Sequence, residues 1–170
     1  MTEELFDVVD QHDNVLRQLP RSEVHARRLR HRAVHVFVFR PNGNLIIHRR
    51  TDQKEEFPSV WTSSCSGHVS AGEDYDHTAP RELQEELQIH STELQRHYKF
   101  APCPDTSWEF TVLYSTVSSQ PVQPDPAEIA AVQELSLHEI ASWLQNTPQD
   151  FSPAFRLLFH WYQNRGPATS

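Results

Sequence analysis

The segment that most constrains the fold is GHVSAGEDYDHTAPRELQEELQI, residues 67–89. Its two glycines allow a tight loop whose backbone amides can approach an anion, and the charged residues after them favour a helix. Residues three and four positions apart share a helix face, so this helix would bring together Glu82, Glu85 and Glu86. Neighbouring carboxylates repel one another, and their hard oxygen atoms suit Mg²⁺ or Mn²⁺. The segment therefore predicts a divalent-metal site beside the loop, with a solvated acidic helix face as the alternative.

Composition and charge limit the classes of protein to which the chain can belong. Its 170 residues, 37% hydrophobic and 22% charged, are typical of one globular domain. The net charge of −8 argues against binding to nucleic acid polymers or anionic membranes, which favour basic surfaces. The N-terminal MTEELFDVVD lacks the basic start and apolar run of a secretory signal, and no segment reaches the roughly 20 apolar residues that cross a bilayer. We therefore expect a cytoplasmic protein without a membrane partner.

The spacing of apolar residues predicts an α/β protein of the mixed α+β kind, in which helices cover a mixed sheet. In HRAVHVFVF, from His31 to Phe39, alternate positions define two strand faces, and both faces are apolar enough to be covered. The turn PNGN and the following LIIHRR predict a hairpin. Later strands are expected in LQRHYKFA, WEFTVLYST and IAAVQEL, and helices at Leu83–Ile89, Ser136–Leu144 and Pro153–Gln163.

The order of these elements predicts one domain over residues 1–170, without repeats or linkers. It begins with a strand pair and a helical turn capped by Ser22, at about 1–30. A core at about 31–140, a C-terminal helix at about 153–164 and a polar tail at 166–170 follow.

The segment from Gly67 to Ile89 resembles the Nudix box, the signature of the Nudix hydrolase superfamily. That signature is Gly, five residues, Glu, seven residues, Arg-Glu, an aliphatic residue, any residue, Glu-Glu, any residue, Gly and an aliphatic residue. Eight of its nine specified positions match: Gly67, Glu73, Arg81, Glu82, Leu83, Glu85, Glu86 and Ile89. The resemblance implies a Nudix-type α/β/α sandwich with a loop–helix–loop catalytic unit, which hydrolyses a diphosphate with Mg²⁺ or Mn²⁺. It also implies roles for these residues: Glu82, Glu85 and Glu86 bind metal, and Gly67, Glu73 and Arg81 support the loop.

Two residues depart from the Nudix pattern and affect its geometry more than its chemistry. Gln88 replaces the final Gly, which would cost about 1 kcal/mol if the helix ends in the left-handed conformation. Pro80 has no backbone N–H, so we expect a helix that is kinked there or that starts later than its usual position near Asp74.

The resemblance extends to the branch of the superfamily that contains isopentenyl diphosphate isomerase and its hydrolase-like relatives. In those isomerases a catalytic Cys directly precedes the Gly-His pair, whereas this chain has Ser66 there and Cys65 one residue earlier. On a strand that shift turns the thiol to the opposite face. The isomerases also place a Trp where this chain has Gln149. Their metal site implies a possible second site here, formed by His25, His31, His68 and Glu109.

These residues support three hypotheses about the function. The first is a metal-dependent Nudix hydrolase that cleaves a diphosphate linkage in a nucleoside diphosphate derivative or another small organic diphosphate, with Glu85 or Glu109 accepting the proton. Arg49 and Arg50, with Lys54 nearby, would then bind phosphate. The alternatives are an isopentenyl diphosphate isomerase and a non-catalytic ligand-binding module. The sequence leaves the oligomeric state open, a homodimer included.

Overall fold

The structure is a computed structural model that describes residues 2–91 and 93–165. The predicted polar tail at 166–170 lies outside these residues. Among the helices described, none has the length and apolar character needed to cross a membrane. The strands are β1 (Leu5–Val9), β2 (Val15–Pro20), β3 (His31–Phe39), β4 (Leu45–Arg50), β5 (Trp61–Thr62), β6 (Cys65–His68), β7 (Gln95–Phe100), β8 (Glu109–Val117) and β9 (Ile129–Leu135). The helices are α1 (Arg21–Ala26), α2 (Tyr75–Leu87), α3 (Leu137–Asn146) and α4 (Pro153–Asn164).

The main sheet is mixed and is split on one side. Strand β3 pairs in parallel with β8 along its whole length, but it meets β4 only at Phe39 and Leu45. Beyond that rung β6 occupies the same edge of β3, while β5 and β9 flank β4. The two halves of the sheet therefore separate, and the gap between them becomes a cleft.

Helices cover both faces of this sheet, which confirms the predicted α/β/α sandwich. Val34, Val36 and Val38 of β3 pack in one cluster with the buried side of α2. Phe37, on the other face of β3, packs with Phe155 and other residues of α3 and α4. The nearly continuous apolar pattern of β3 therefore encodes a strand that is buried on both faces.

The predicted strands, α3 and α4 are confirmed, and the start of α2 was predicted wrongly. The helix begins at Tyr75, not near Leu83, because the Asp74 carboxylate accepts a hydrogen bond from the backbone N–H of His77 and caps it. Pro80 lies inside the helix and does not end it. Gln88 adopts the left-handed conformation at φ 54°, as expected for the position of the missing glycine.

The predicted cap of the first helix was also wrong. Helix α1 starts at Arg21, and Ser22 lies within its first turn. The backbone N–H of Ser22 donates instead to the Glu3 carboxylate at 2.6 Å. An acceptor from outside the helix thus satisfies one of the first-turn amides that have no partner within the helix.

The N-terminal ribbon of β1 and β2 is fastened to the sandwich by the side chain of Asp13. This residue sits in the turn of the ribbon at φ 66°, and its side chain is only 7% exposed. It accepts hydrogen bonds from Arg32 Nε at 2.7 Å, Lys99 Nζ at 2.8 Å and the Tyr75 hydroxyl at 2.9 Å. Strand β2 of the ribbon leads directly into α1, which carries Arg21 and His25.

We expect Asp13→Asn to weaken the attachment of the ribbon. Asn tolerates the left-handed backbone, but it removes the charge that Arg32 and Lys99 contact, so the free energy of unfolding should fall by about 2 kcal/mol at pH 7. Burial opposes ionisation of Asp13, yet bonds from Lys99, Arg32 and Tyr75 lower its pKa below the ordinary 3.8. Its contribution is therefore present above about pH 4 and is lost as the pH falls through the lowered pKa.

Urea unfolding at pH 7 and pH 3 measures this difference. The matched control is Asp105→Asn, which removes an exposed carboxylate and should leave stability within about 0.5 kcal/mol of the parent. Equal stability of the two variants at pH 7 would contradict the proposed role of Asp13.

Candidate functional site

A cavity of about 330 Å³ lies at the open end of the split sheet. Strands β3 and β6 contribute residues to its wall from one half of the sheet, and β4 and β5 from the other. The lining is dominated by charged and polar side chains, and these include Arg50, Lys54, Glu82, Glu85, Glu86 and Glu109. The cavity therefore brings the predicted carboxylates and one predicted arginine together.

The place of the Glu82 carboxylate depends on the missing side chain at Gly67. A Cβ atom there would lie 2.1 Å from Cδ of Glu82, far inside any permitted contact. Glycine thus lets the Glu82 carboxylate rest against the backbone of β6. Glu86, one helical turn later, accepts a hydrogen bond from the Ser66 N–H at 3.2 Å. Strand β6 thus positions the carboxylates of Glu82 and Glu86 at the wall of the cavity.

Arg81 links the start of the loop to the helix. Its Nη2 donates to Glu73 at 2.9 Å, and its Nη1 donates to Glu82 at 3.0 Å and to Glu85 at 3.1 Å. A planar guanidinium can hold several carboxylates in a fixed arrangement. Arg81 and Glu73 thus make the contacts expected of residues that support the loop.

The three carboxylates of α2 differ in burial and therefore in electrostatics. Burial raises the pKa of Glu82 to about 7, and burial together with the charge of Glu82 raises the pKa of Glu86 to about 8. The side chain of Glu85 is 59% exposed at the mouth of the cavity. Two desolvated carboxylates side by side favour either a proton or a cation between them. Their oxygen donors fit Mg²⁺ or Mn²⁺.

A second cluster, formed by His25, His31 and His68, lies beside the carboxylates. One nitrogen of each imidazole lies within 4.8 Å of the others. The cluster forms because His31 pairs with Glu109 across β3 and β8, while His68 lies on β6 next to β3. Nε2 of His25 and Nε2 of His31 are buried without a hydrogen-bond partner. The structure thus brings together all four residues of the predicted second metal site.

Glu109 is held within this histidine cluster. Its carboxylate lies 2.9 Å from Nε2 of His68 and 3.4 Å from Nε2 of His31. Burial alone would favour the neutral acid, but the close imidazoles of His31 and His68 hold the pKa of Glu109 well below its usual range. Imidazole nitrogens and one carboxylate are donors that suit a transition metal.

The two arginines predicted to bind phosphate differ in position. Arg50 lines the cavity, where its Nε and Nη2 donate to backbone carbonyls of the 56–57 loop. Arg49 is exposed and does not line the cavity, because adjacent strand residues point in different directions. The prediction for Arg49 is therefore not supported, while Lys54 joins Arg50 at the wall and forms an ion pair with Glu128.

Cys65 lies one residue before the cysteine position of the isomerases, and its thiol points away from the cavity, as the sequence predicted. Ser66 lines the cavity, whereas Cys65 is fully buried in the apolar cluster beneath α2. Burial also raises the pKa of the Cys65 thiol well above its ordinary value. Gln149 is exposed in a short 3-10 turn and does not line the cavity.

Sequence reasoning missed several polar residues of the cavity. His35, His48, Thr62 and Ser152 line it and are all buried. Strand alternation provides a signal for His35, which shares a strand face with His31. The others come from separate elements, and no spacing in the sequence connects them.

Comparison with known proteins is consistent with this geometry. The NUDIX domain family model matches residues 29–158. The chain is 35% identical over 143 residues to an uncharacterized Nudix hydrolase of Pseudomonas aeruginosa, covering 82% of this chain and 85% of that protein. It is 29% identical over 158 residues to an isopentenyl-diphosphate Delta-isomerase of Serratia proteamaculans, covering 90% and 88%. A crystal structure of a Deinococcus radiodurans protein superposes with a TM-score of 0.73 at 26% identity, covering 84% of this chain and 90% of that one.

The buried charge of Glu86 predicts a pH-dependent gain in stability for Glu86→Gln without metal. In the folded protein its pKa is raised from 4.5 to about 8, so ionisation destabilises the fold increasingly between these values and fully above pH 8. Gln does not titrate. In EDTA the variant should therefore be more stable than the parent by about 3 kcal/mol at pH 9 and nearly equal to it at pH 4.

Urea unfolding in EDTA at both pH values gives the comparison. Glu85→Gln is the matched control on the same helix, because its exposed side chain predicts little change at either pH. A Glu86→Gln protein that is no more stable than the parent at pH 9 would show that this carboxylate is not destabilised by burial.

Proposed function

Because this chain belongs to the Nudix hydrolase family, we propose that it cleaves a diphosphate linkage in a small organic diphosphate, nucleoside diphosphate derivatives included. The observation that carries the proposal is the pair of carboxylates Glu82, largely buried, and Glu86, buried, in the wall of a cavity that also contains Arg50 and Lys54. Carboxylates that favour a cation, in one cavity with basic groups that favour an anion, suit a metal–diphosphate complex.

We assign the divalent-metal site to Glu82, Glu85 and Glu86. When bound, Mg²⁺ or Mn²⁺ would polarise a phosphoryl oxygen and lower the pKa of the attacking water. Arg81 orients Glu82 and Glu85 through its hydrogen bonds. Arg50 and Lys54 bind and position the phosphates, and their charges oppose the negative charge that increases as the linkage breaks.

Glu85 is the better of the two candidates for accepting the proton of the water. It is the exposed member of the carboxylate patch, so solvent reaches it. Glu109 lies against the imidazoles of His31 and His68, which stabilise its charged form and make it a weak base. We therefore assign Glu85 as the general base and Glu109 to the histidine cluster.

This proposal predicts that water attacks phosphorus. In ¹⁸O-labelled water with Mg²⁺, a panel of organic diphosphates should yield label in a phosphate product, identified by mass. EDTA should abolish turnover. Glu86→Gln should reduce turnover by at least 100-fold, because it removes a metal-binding charge.

Glu93→Gln, a change at an exposed glutamate outside the cavity, is the control and should retain parental turnover. Label on the organic hydroxyl, or full turnover by Glu86→Gln, would refute the assignment. A panel that yields no turnover with either metal would favour a non-catalytic binding module.

The histidine cluster favours isomerisation of isopentenyl diphosphate as the second candidate, since a relative with that name covers most of the chain. That reaction needs a positioned acid and base to move a proton between carbons. Cys65 cannot serve there in this structure, because it lies in the core and Ser66 takes the position at the cavity. The hydrolase is therefore the first choice.

Cys65→Ser separates the two candidates. Hydrolysis uses no thiol, so the variant should keep at least half of the parental turnover of diphosphates. Thermal unfolding checks that the buried hydroxyl has not disrupted the core. A well-folded variant without turnover, together with a parental product of unchanged mass from isopentenyl diphosphate, would instead establish the isomerase.

A further inference from the structure

The inner end of the cavity contains a niche, defined here by His35, His48, Thr62 and Ser152. These side chains are buried, with exposures of 6%, 2%, 2% and 5%. His35 belongs to β3 and His48 to β4, so the two imidazoles come from the two halves of the split sheet. All four residues line the cavity. Neither the metal site nor the phosphate site uses any of them.

Two consecutive serines hold the imidazoles in place. His48 Nδ1 lies 2.9 Å from the Ser64 carbonyl, so this nitrogen carries the proton and Nε2 is left as an acceptor. His35 Nδ1 lies 2.7 Å from the Ser63 hydroxyl. Neither Nε2 has a partner among the residues that the structure describes. Each ring therefore has one nitrogen available to a ligand in the cavity.

The remaining two members of the niche contribute hydroxyl groups. Thr62 Oγ1 and Ser152 Oγ lie 3.0 Å apart, and either can donate to the other. Ser152 Oγ also accepts the Phe155 N–H at 3.2 Å, as the cap of α4. This arrangement leaves hydroxyl lone pairs and one rotatable proton for further bonds.

The niche carries no charge, and this limits what it can bind. Burial lowers the pKa of both His35 and His48 to about 4, so they are neutral at pH 7. A phosphate would gain more from Arg50 and Lys54 nearer the mouth. The niche contains no Phe, Tyr or Trp, and Phe57 is the one such residue among the described residues that line the cavity. Apart from its two imidazoles, the niche therefore has no ring on which a nucleobase could stack.

An apolar chain in the niche would also be unfavourable. It would displace water from two ring nitrogens and two hydroxyls without replacing their hydrogen bonds. A group with several hydroxyls would satisfy these atoms, since each hydroxyl both donates and accepts. A site built to hydrogen-bond a hydroxyl strongly rejects a ligand that lacks this group. An apolar pocket rejects a ligand that carries an extra hydroxyl much less strongly.

We infer that the niche binds hydroxyl groups of the organic part of the substrate, and that the substrate is a polyhydroxylated diphosphate such as a sugar diphosphate. This inference rests on the proposed function and names the substrate class of the same site. The diphosphate lies between the carboxylates and Arg50, and the hydroxylated carbons extend inward to His35 and His48. Prenyl and simple alkyl diphosphates are poor substrates for this reason.

The test compares ribose 5-diphosphate with n-pentyl diphosphate, two five-carbon compounds that differ mainly in hydroxyl groups. With Mg²⁺, kcat/KM of the parent enzyme should be about 100-fold higher for the ribose compound. His48→Asn keeps a donor to the Ser64 carbonyl but removes Nε2, and Thr62→Val removes only the hydroxyl. Each variant should reduce the ratio of the two kcat/KM values at least tenfold, because only the ribose compound should be turned over more slowly.

Thr116→Val is the matched control, because Thr116 is a buried threonine on β8 that does not line the cavity. It should keep the parental preference, and thermal unfolding reports whether each variant is folded. Equal kcat/KM for the two compounds in the parent would overturn the inference while leaving the hydrolase intact. Retention of the parental preference by both niche variants, when folded, would overturn it as well.

Failure of the proposed function gives a different result, namely no hydrolysis of either compound with Mg²⁺ or Mn²⁺. In that case calorimetric titration of the parent with each compound still decides the inference. Binding of ribose 5-diphosphate at least tenfold tighter than n-pentyl diphosphate supports the niche, and equal affinity overturns it.

Discussion

The contact between the Glu82 carboxylate and the backbone at Gly67 is the constraint on which the carboxylate patch depends. With any side chain at position 67, the added atom would overlap this carboxylate, which would have to leave its place against β6. Such a shift would disturb the hydrogen bond from Arg81 to Glu82, in a network that also joins Arg81 to Glu73 and Glu85. The place of Glu82 in the patch therefore depends on the absence of a side chain at Gly67 as well as on the glutamate itself.

The cavity itself arises from the sheet and not from the loops around it. Strands β3 and β4 share one rung at Phe39 and Leu45; beyond it β3 pairs with β6 along the same edge, and β4 pairs with β5. These pairings supply hydrogen-bond partners to backbone groups on both sides of the gap. The serines at 63 and 64 close its inner end, since the Ser64 hydroxyl donates to the Ile46 carbonyl and accepts from the Val38 N–H. A rigid sheet thus supplies a preformed polar cleft.

The sequence predicted most of the architecture and half of the site, and the division has a physical basis. Local patterns identified the strands, helices α3 and α4, and the carboxylate patch, because each depends on residues close together in the chain. The start of α2 was missed because the Asp74 cap and the packing of its first turns outweigh the single hydrogen bond lost at Pro80. The inner niche could not be predicted, since Thr62 and Ser152 meet only through tertiary pairing of β5 with the segment before α4.

Strand register connects the fold to the choice between hydrolysis and isomerisation. On β6, side chains alternate, so an offset of one residue decides whether a thiol or a hydroxyl reaches the cavity. Here Cys65 packs in the core and Ser66 faces the cavity, while the Ser66 amide bonds Glu86. The same short strand therefore buries the thiol that isomerisation would need, and its Ser66 amide bonds a carboxylate of the proposed metal site. Gln149, which stands where the isomerases place a Trp, does not line the cavity either. Both differences favour hydrolysis, and the register of β6 accounts for the first of them.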